Sequence, residues 1–327
     1  MPTSVRSYGK INIGLVLGPP RSDGFHELRT CYSTIALYDL VHVERQPGTG
    51  IEIRATGDPE LARKVPCDET NTCYRVAERL LRRTHFQTKL VISIHKSLPV
   101  QGGVGAASSN AAAALLAAER ELEHPLDAED RYAICAEVGS DIPQFLFGGP
   151  SLGIGRGEQV FPLPDLPSIP AVILTPAVGV STPQAFADFD RMLASGSLTS
   201  DSQSVKLEEF SRLLYRWLGS IHSGVSPLWG NLAEALLLDL VRTGIVNDFE
   251  QVVFPQHSEL REIKRALERA KALYASLSGS GSTMYGLFAT NEAAERAAAE
   301  LTASGHRAYA TRTLPRSEYW DSFWAID

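Results

Sequence analysis

Alternating apolar and polar positions open the chain and predict a long β-strand there. Over residues 4–16, the apolar Ile11, Ile13 and Leu15 occupy every second position, which is the period of a strand. The same criteria predict further strands at residues 35–43, 50–54, 90–95, 171–175 and 284–288. Strands spread over the whole chain indicate that β-sheet is a major part of the fold.

Three segments carry the pattern of α-helices. Residues 71–84 place Val76 and Leu80 on one face and charged residues on the other. Residues 110–121 are dominated by Ala and Leu, the strongest helix formers, and residues 260–271 are also predicted to be helical. Because helices and strands mix without strict β-α-β alternation, the sequence predicts an α+β fold.

A proline cluster near the middle of the chain predicts a boundary between two domains. Four prolines fall within residues 162–170, a composition typical of a connecting segment. We therefore expect an N-terminal domain over residues 1–161 and a C-terminal domain over residues 162–327, and the length accommodates both. Within the second domain, the Ser-rich residues 195–204 are predicted to form a mobile surface loop.

Composition and charge exclude several classes of function. The formal charge of −7 gives no electrostatic case for binding nucleic acid or an anionic membrane. The chain has no apolar run of about 18 residues of the kind that spans a bilayer. Residues 1–10 lack the basic and apolar regions of a signal peptide, so we expect none. The four cysteines form no Cys-x-x-Cys pair, which argues against zinc and suits a reducing cytoplasm.

The strongest candidate for ligand binding is a loop rich in glycine and other small residues. Its glycines let the backbone approach a ligand closely, and its serines fall where a predicted helix begins. A helix start offers free N–H groups and a positive dipole end, which together bind phosphate. The loop comprises Pro99, Val100, Gln101, Gly102, Gly103, Val104, Gly105, Ala106, Ala107, Ser108 and Ser109. It lacks the Gly-Lys-Ser/Thr ending of a Walker loop and the third glycine of a dinucleotide fingerprint, and a plain loop with a serine N-cap is the structural alternative.

Three shorter segments supply candidate side chains, each with a structural alternative. Asp141 lies beside a proline and an apolar run, where a partly buried carboxylate suits a proton acceptor and a helix N-cap is equally compatible. Lys10, with Asn12 on the first strand, stabilises transferred charge if it points into a cleft, whereas the alternative is a solvated lysine. Phe25 and His26 are suited to contact a base or else belong to a surface turn.

Together, these segments resemble the GHMP kinase superfamily, named for galactokinase, homoserine kinase, mevalonate kinase and phosphomevalonate kinase. Residues 99–109 are similar to its Pro-x-x-x-Gly-Leu-Gly-Ser-Ser ATP loop. Residues 278–282, Ser-Gly-Ser-Gly-Ser, are similar to its late glycine-rich motif, although on their own they are equally compatible with a flexible turn. The resemblance extends over nearly the whole chain with the motifs in matching order.

Within the superfamily, the similarity is greatest to the kinases that act on a cytidine-diphosphate-linked methylerythritol. The most diagnostic run is Asp-Gly-Phe-His within residues 21–28, which follows Lys-Ile-Asn at residues 10–12. Two further runs carry the resemblance: Gly-Ser-Asp-Ile-Pro at residues 139–143 and Asn-Asp-Phe-Glu at residues 247–250.

The resemblance implies a two-domain architecture with the active site in the cleft between the domains. It implies ATP-dependent phosphorylation of the C2 hydroxyl of the cytidine-diphosphate-linked substrate, with Asp141 as general base and Lys10 as its charge partner. Residues 99–109 would hold the ATP phosphates, and Mg²⁺, whose protein ligands remain open, would bridge phosphate oxygens. The implied substrate pocket contains Asn12, Phe25, His26 and Thr182, with Phe25 and His26 near the cytosine.

The sequence departs from the superfamily pattern at several positions. Gln101, Ala106 and Ala107 stand where glycine is usual, and a positive φ at any of them would weaken ATP binding. Phe25 replaces the usual Tyr, and Lys271 replaces a usual Gly near a helix end. The alternatives left open are a mevalonate- or phosphomevalonate-type kinase, a non-catalytic nucleotide-binding protein on the same scaffold and a Rossmann dehydrogenase, the last disfavoured by the missing glycine.

Overall fold

The computed structural model describes residues 2–100, 102–222 and 245–325, which form two β-sheets with helices packed against them. The strands are β1 (Thr3–Pro20), β2 (His26–Gln46), β3 (Gly50–Gly57), β4 (Lys89–Lys96), β5 (Ser151–Ile154), β6 (Gln159–Pro162), β7 (Pro170–Leu174), β8 (Tyr274–Leu277), β9 (Met284–Leu287) and β10 (Ala308–Arg312). The described helices are α1 (Pro59–Ala62), α2 (Thr72–Thr84), α3 (Ala106–Glu121), α4 (Ala128–Val138), α5 (Thr182–Ala194), α6 (Ser200–His222), α7 (Phe249–Val253), α8 (Ser258–Arg269), α9 (Asn291–Ala303) and α10 (Arg316–Phe323). This mixture confirms the α+β prediction, and the predicted strands and helices all appear.

The first sheet contains six strands from the N-terminal half of the chain. Its order is β3-β4-β2-β5-β6, and β1 pairs with β2 in a long antiparallel hairpin. The register of this hairpin sets Lys10 opposite Thr34 and Asn12 opposite Tyr32. Polar side chains from distant positions in the chain therefore meet at one place on a largely buried hairpin.

The second sheet, in the order β10-β7-β9-β8, is antiparallel throughout, and α8 and α9 pack against it. The chain leaves the first sheet at Pro162 and enters the second at Pro170, across the proline cluster. Helix α10 then returns to the first sheet, where Trp324 forms a bridge with Val5 on β1. We propose residues 162–170 as the domain boundary, with α10 covering the first domain.

The mobile loop predicted for residues 195–204 is wrong from Ser200 onwards, where α6 begins. Thr199 and Ser202 exchange hydrogen bonds as in a reciprocal helix cap: the Ser202 N–H donates to Thr199 Oγ1 at 3.1 Å, and the Thr199 N–H donates to Ser202 Oγ at 3.2 Å. Leu207 and Phe210 follow at helical spacing and are buried. Ser202, one of the serines that suggested flexibility, instead helps Thr199 to cap an amphipathic helix.

Helix α3 begins at Ala106, four residues before the position predicted from its Ala-rich stretch. Gly105, with a φ of 69°, precedes the first turn and lets the chain enter the helix abruptly. Ala106 and Ala107 are therefore helical, and among the described residues of the loop the positive φ values fall on Gly103 and Gly105. The departures from glycine at Ala106 and Ala107 consequently cost no backbone strain.

Lys271 adopts a left-handed conformation just after α8, with a φ of 69°, at the position where the superfamily usually has glycine. This conformation costs a non-glycine residue about 1 kcal/mol, and the side chain is exposed. We expect Lys271→Gly to raise the free energy of unfolding by about 1 kcal/mol, measured by urea denaturation. The matched control Arg261→Gly, at an exposed position inside α8, should lower it by about the same amount. A destabilised Lys271→Gly variant would contradict the assignment of strain.

None of the helices in the described ranges combines the length and apolar character needed to cross a membrane.

Candidate active site

A cleft of about 1060 Å³ lies between elements of the two sheets and brings most of the predicted site together. Its walls include Lys10, Asn12, Phe25, His26, Val100, Gly102, Gly103, Gly105, Ala106, Ala107, Ser108, Asp141 and Thr182. Residues separated by about half of the chain thus face one space. The predicted cleft between the domains corresponds to this cavity.

Three described residues of the predicted loop, Pro99, Val104 and Ser109, do not line the cleft. Val104 is buried in the apolar core, and its carbonyl accepts a hydrogen bond from the Lys10 N–H at 2.8 Å. Ser109 is also buried, and its hydroxyl accepts a hydrogen bond from Ser7 at 2.7 Å. Val104 and Ser109 thereby anchor the loop to β1, whereas Gln101 lies outside the described residues.

The glycines of this loop are required by close approaches of the backbone. A Cβ atom on Gly103 would lie 2.1 Å from the Ser278 carbonyl oxygen, and one on Gly105 would lie 3.0 Å from Cγ of Lys10. The last four residues of this loop form the first turn of α3, whose free N–H groups and dipole favour an anion. Ser108 lies in the first turn of this helix and also faces the cleft.

The second glycine-rich segment, residues 278–282, packs directly against the first. The Ser278 hydroxyl donates to the Gly103 carbonyl at 2.8 Å, and the Thr283 N–H donates to the Gly102 carbonyl at the same distance. Ser280 and Thr182 join the opposite side through their hydroxyl groups, which are 2.7 Å apart. The segment is therefore a structured part of the cleft wall, and the flexible-turn interpretation is wrong.

Lys10, Asn12 and Asp141 form the charged centre of the cleft. The Lys10 ammonium donates to Asn12 Oδ1 at 2.5 Å and lies 3.4 Å from Asp141 Oδ2. Lys10 is 2% exposed, so the alternative of a solvated lysine is wrong, whereas the Asp141 side chain is 40% exposed. Asp141 also precedes the N-cap of the short 3₁₀ helix Pro143–Leu146, which is Ile142, so it is not the helix cap. A partly exposed carboxylate beside a buried ammonium is suited to accept a proton from a bound hydroxyl.

Tyr32 completes this centre and was missed from the sequence. Its hydroxyl donates to Asp141 Oδ1 at 3.1 Å, on the oxygen that Lys10 does not face. Burial, reinforced by the Asp141 charge, raises the pKa of Tyr32 well above its usual value, so the phenol remains a hydrogen-bond donor. The signal that identifies Tyr32 is its register opposite Asn12, which sequence spacing does not reveal.

His26 is buried, so a surface turn does not describe it. Its Nδ1 lies 3.0 Å from the Gly18 carbonyl oxygen, and its Nε2 lies 2.9 Å from Asp190 Oδ1. Phe186 of α5 stacks on the imidazole with ring centroids 5.4 Å apart. Asp190 and Phe186 both line the cleft, so contacts with α5 hold the imidazole at the cleft wall.

Phe25 and Arg156 form the exposed rim at the same end of the cleft. The Phe25 ring is 49% exposed, and the Arg156 guanidinium lies 4.6 Å from its centroid. The carboxylate nearest to the Arg156 guanidinium is that of Glu158, whose Oε1 lies 3.7 Å from Nε. This end of the cleft therefore combines aromatic surface with a weakly paired cation.

The opposite end of the cleft lies next to α3, and its residues were not predicted to belong to the site. Its lining residues there include Lys64, Val65, Pro66, Thr70, Asn71, Thr72 and Cys73. Thr72 donates a hydrogen bond to the Ala107 carbonyl at 2.9 Å, which joins this segment to the start of α3. Lys96 also reaches the cleft, but it is fully buried in an ion pair with Asp39.

Comparison with known proteins matches both halves of the chain to one superfamily. The profile described as "GHMP kinases N terminal domain" matches residues 71–149, and "GHMP kinases C terminal" matches residues 228–307. The fold is similar to a crystal structure of homoserine kinase from Cytophaga hutchinsonii, with a TM-score of 0.65 at 19% identity over 96% of each chain. Together with the relatives named below, the two profile matches define the class of protein as a small-molecule kinase of the GHMP type, with ATP as the co-substrate.

Relatives that are more similar in sequence than this homoserine kinase share one activity in their names. The 4-diphosphocytidyl-2-C-methyl-D-erythritol kinase of Solibacter usitatus is 38% identical over 90% of this chain and 83% of the relative. The kinase of the same name from Rhodococcus jostii is 32% identical over 93% of this chain and 89% of the relative. A crystal structure of 4-(cytidine 5'-diphospho)-2C-methyl-D-erythritol kinase gives a TM-score of 0.70 at 27% identity, over 95% of this chain and 99% of that one. The chain belongs to the 4-diphosphocytidyl-2-C-methyl-D-erythritol kinase family.

Proposed function

We propose that this kinase transfers the γ-phosphoryl group of ATP to the 2-hydroxyl of 4-diphosphocytidyl-2-C-methyl-D-erythritol, in isoprenoid precursor biosynthesis. The observation that carries the proposal is the Lys10–Asp141 pair, 3.4 Å apart, in a cleft that also contains a phosphate-binding loop and an aromatic rim. The two ends of the cleft suit two different nucleotide groups, and the charged centre suits the transfer between them.

The chemistry at the centre is an in-line transfer with Asp141 as the base. Its carboxylate accepts the proton of the acceptor hydroxyl, whose oxygen forms a bond to the γ-phosphorus. The bond from that phosphorus to the β-γ bridging oxygen breaks, and ADP leaves with the bonding electrons. Lys10 stabilises the charge on the transferred group, and Asn12 holds the ammonium through its 2.5 Å contact. Tyr32 orients the Asp141 carboxylate.

ATP is proposed to bind with its phosphates along residues 99–109 and at the N-terminus of α3. The segment around Thr72 supports a position for the adenosine, because it is hydrogen bonded to the start of that helix and lines the same cleft. This arrangement directs the γ-phosphoryl group towards Lys10, which lies against Gly105.

Mg²⁺ is proposed to enter with ATP. The described ranges contain no group of three or more His, Cys, Asp or Glu side chains able to hold a metal ion. Mg²⁺ in kinase sites is typically held by substrate phosphates, water and one or two carboxylates. The Ser108 hydroxyl, in the first turn of α3, is an oxygen donor in this cleft that would be available to such an ion. When bound, the ion would neutralise phosphate charge.

The acceptor is proposed to place its cytidine at the end formed by Phe25, His26 and Phe186. Two aromatic rings and an imidazole are able to stack on a base and to hydrogen bond to its edge. Arg156 supports a diphosphate there, because its guanidinium lies at the rim and its nearest carboxylate is 3.7 Å away. Thr182, beside Ser280, faces the same space.

A coupled assay of ADP release with a panel of acceptors tests the proposal. We expect turnover with 4-diphosphocytidyl-2-C-methyl-D-erythritol and none with methylerythritol phosphate, mevalonate or phosphomevalonate. Turnover with mevalonate instead would favour the mevalonate-type kinase. ATP binding without turnover of any acceptor would favour a non-catalytic protein.

Replacing His26 with Ala is expected to raise the KM for the acceptor about tenfold and to leave the KM for ATP unchanged. The loss of a buried hydrogen-bonding group discriminates more strongly than the loss of apolar contact. Phe25→Ala should act in the same direction but more weakly, through lost stacking. Both KM values are measured for each variant.

The matched control for this prediction is His95→Ala. His95 is an exposed histidine on β4 that does not line the cleft, so neither KM should change. An unchanged acceptor KM in His26→Ala, or a selective rise in the ATP value, would locate the base elsewhere.

A cytoplasmic location is also proposed. The cysteines are all free thiols, and burial raises the pKa of Cys31, Cys73 and Cys135 to about 12, which keeps them protonated. Unpaired thiols of this kind suit a reducing compartment.

A further inference from the structure

Asn247 makes three hydrogen bonds from a fully buried position beside the active site. Its Nδ2 donates to the carbonyl oxygens of Leu277 and Gly279, both at 2.8 Å. Its Oδ1 accepts the Phe249 N–H at 3.0 Å. Each polar atom of the carboxamide is therefore occupied, and two of the three bonds hold the residues on either side of Ser278.

The turn that carries Asn247 is fixed to β1. The Leu15 N–H donates to the Val246 carbonyl at 2.9 Å, and the Asp248 N–H donates to the Leu15 carbonyl at 2.8 Å. Leu15 lies three residues after Asn12 on the strand that also carries Lys10. The Asn247 carboxamide thus links β1, which carries Lys10, to the second glycine-rich segment, residues 278–282.

That segment touches the reacting centre. Gly279 has a φ of 59°, and a Cβ atom there would lie 3.5 Å from the Lys10 ammonium and 3.4 Å from Asn12 Oδ1. Within the described part of the chain, the N–H groups of Gly279 and Ser280 have no hydrogen-bond acceptor, and both residues line the cleft. Two free donors beside an ammonium favour negative charge, as on a transferred phosphoryl group.

We propose that Asn247 is a positioning residue for phosphoryl transfer. By holding the carbonyls of Leu277 and Gly279, it orients the peptides of residues 278–282 so that their free N–H groups face the cleft next to Lys10. The Ser278 hydroxyl extends the same constraint to the ATP loop through Gly103. The inference rests on the proposed function, because it requires Lys10 to act in the transfer.

The decisive variant is Asn247→Asp, which keeps the shape and replaces the donor with an oxygen facing two carbonyls. We expect kcat to fall about 30-fold, which corresponds to the loss of two hydrogen bonds, and the Kd for ATP to rise on the order of fivefold. Asn247→Ala removes the donor without adding charge and should shift both quantities in the same direction. It takes the place of Asn247→Asp in the test if the aspartate variant folds poorly. Both variants are assayed below their unfolding temperatures, as checked by circular dichroism.

The matched control is Asp248→Asn, in the same turn. Asp248 is equally buried, and its carboxylate accepts the Leu17 N–H at 3.0 Å and the Lys206 ammonium at 2.9 Å, without touching residues 278–282. We expect the Asp248→Asn variant to have a lower free energy of unfolding, while its kcat and ATP Kd stay within about twofold of the wild type. An equal loss of kcat in both variants would show that Asn247 contributes to stability alone and would overturn the proposal.

A double variant tests whether Asn247 acts through the lysine. In a Lys10→Ala background, Asn247→Asp should lower kcat by less than about twofold further, because residues that act as a unit are not additive. Losses that multiply would overturn the proposal. The Kd for ATP is measured without an acceptor, so it tests the inference separately from the proposed function. If the wild type binds ATP but does not phosphorylate the proposed substrate, the proposed function fails. An unchanged ATP Kd in Asn247→Asp would then overturn the inference by itself.

Discussion

Replacing Asp141 with Asn is expected to lower kcat by a factor of about 10²–10⁴ while leaving the Kd for ATP close to that of the wild type. The carboxylate is 40% exposed. One of its oxygens accepts a hydrogen bond from Tyr32, and the other lies 3.4 Å from the Lys10 ammonium. Asparagine keeps the size of the side chain, but its amide has no basic oxygen to take the proton of an alcohol. The transfer step therefore loses its base, whereas the ATP loop loses no contact.

Single-turnover and steady-state measurements of ADP release give the rate, and equilibrium titration gives the ATP affinity. The matched control is Glu137→Gln, which neutralises an exposed carboxylate on α4 that pairs with Arg79 outside the cleft. This control should keep the wild-type rate. Retention of more than half of the wild-type kcat in Asp141→Asn would rule out the assignment of Asp141 as the base.

The parts of the fold that were predictable are those that depend on local pattern. The alternation around Ile11 and Ile13 predicts β1, and the apolar face containing Val76 predicts α2, because burial follows the periods of strand and helix. The proline cluster at residues 162–170 falls where the chain changes sheets. The composition of residues 195–204 gave a wrong prediction because serine is common both in flexible loops and at helix starts, where Ser202 lies in the cap of α6.

The candidate site was predictable where its residues lie in recognisable runs. Lys10 and Asp141 were identified by resemblance of short motifs, and the cleft unites them although they are far apart in the chain. Tyr32 was missed because its relation to Asp141 depends on the register of the β1–β2 hairpin. Phe186 and Asp190 were missed because their position beside His26 depends on the packing of α5, which no local pattern encodes.

The motif at residues 247–250 was likewise recognisable in the sequence, although the sequence did not explain what its residues do. Its sequence was recognised as a signature, but its physical role became apparent from the contacts of its polar side chains. Asn247 holds the glycine-rich segment, and Glu250 accepts the Ser276 hydroxyl at 2.8 Å and the Leu277 N–H at 3.0 Å. Side chains that act on backbone groups of a distant loop leave no periodic signal in the sequence.

Replacing Lys10 with Ala is expected to lower kcat by a factor on the order of 10², the loss typical for one preorganised group that stabilises charge in the transition state. Lys10 is buried, and its ammonium contacts Asn12 and faces Asp141. Its removal takes away the positive charge next to the transferred group and leaves Asp141 without its partner. Lys10→Met fills most of the same volume without charge and should lose a similar factor, which separates the electrostatic effect from a packing defect.

The double variant Lys10→Ala/Asp141→Asn should be little slower than Asp141→Asn alone. The two side chains lie 3.4 Å apart and are proposed to serve the same proton and phosphoryl transfer, so that once the base is absent the ammonium has less transition-state charge to stabilise. The measurement is a double-mutant cycle on kcat, with unfolding curves to verify that each variant is folded. Fully multiplicative losses would show that the two residues act independently. A Lys10→Met variant with wild-type activity would show that the ammonium takes no part in the mechanism.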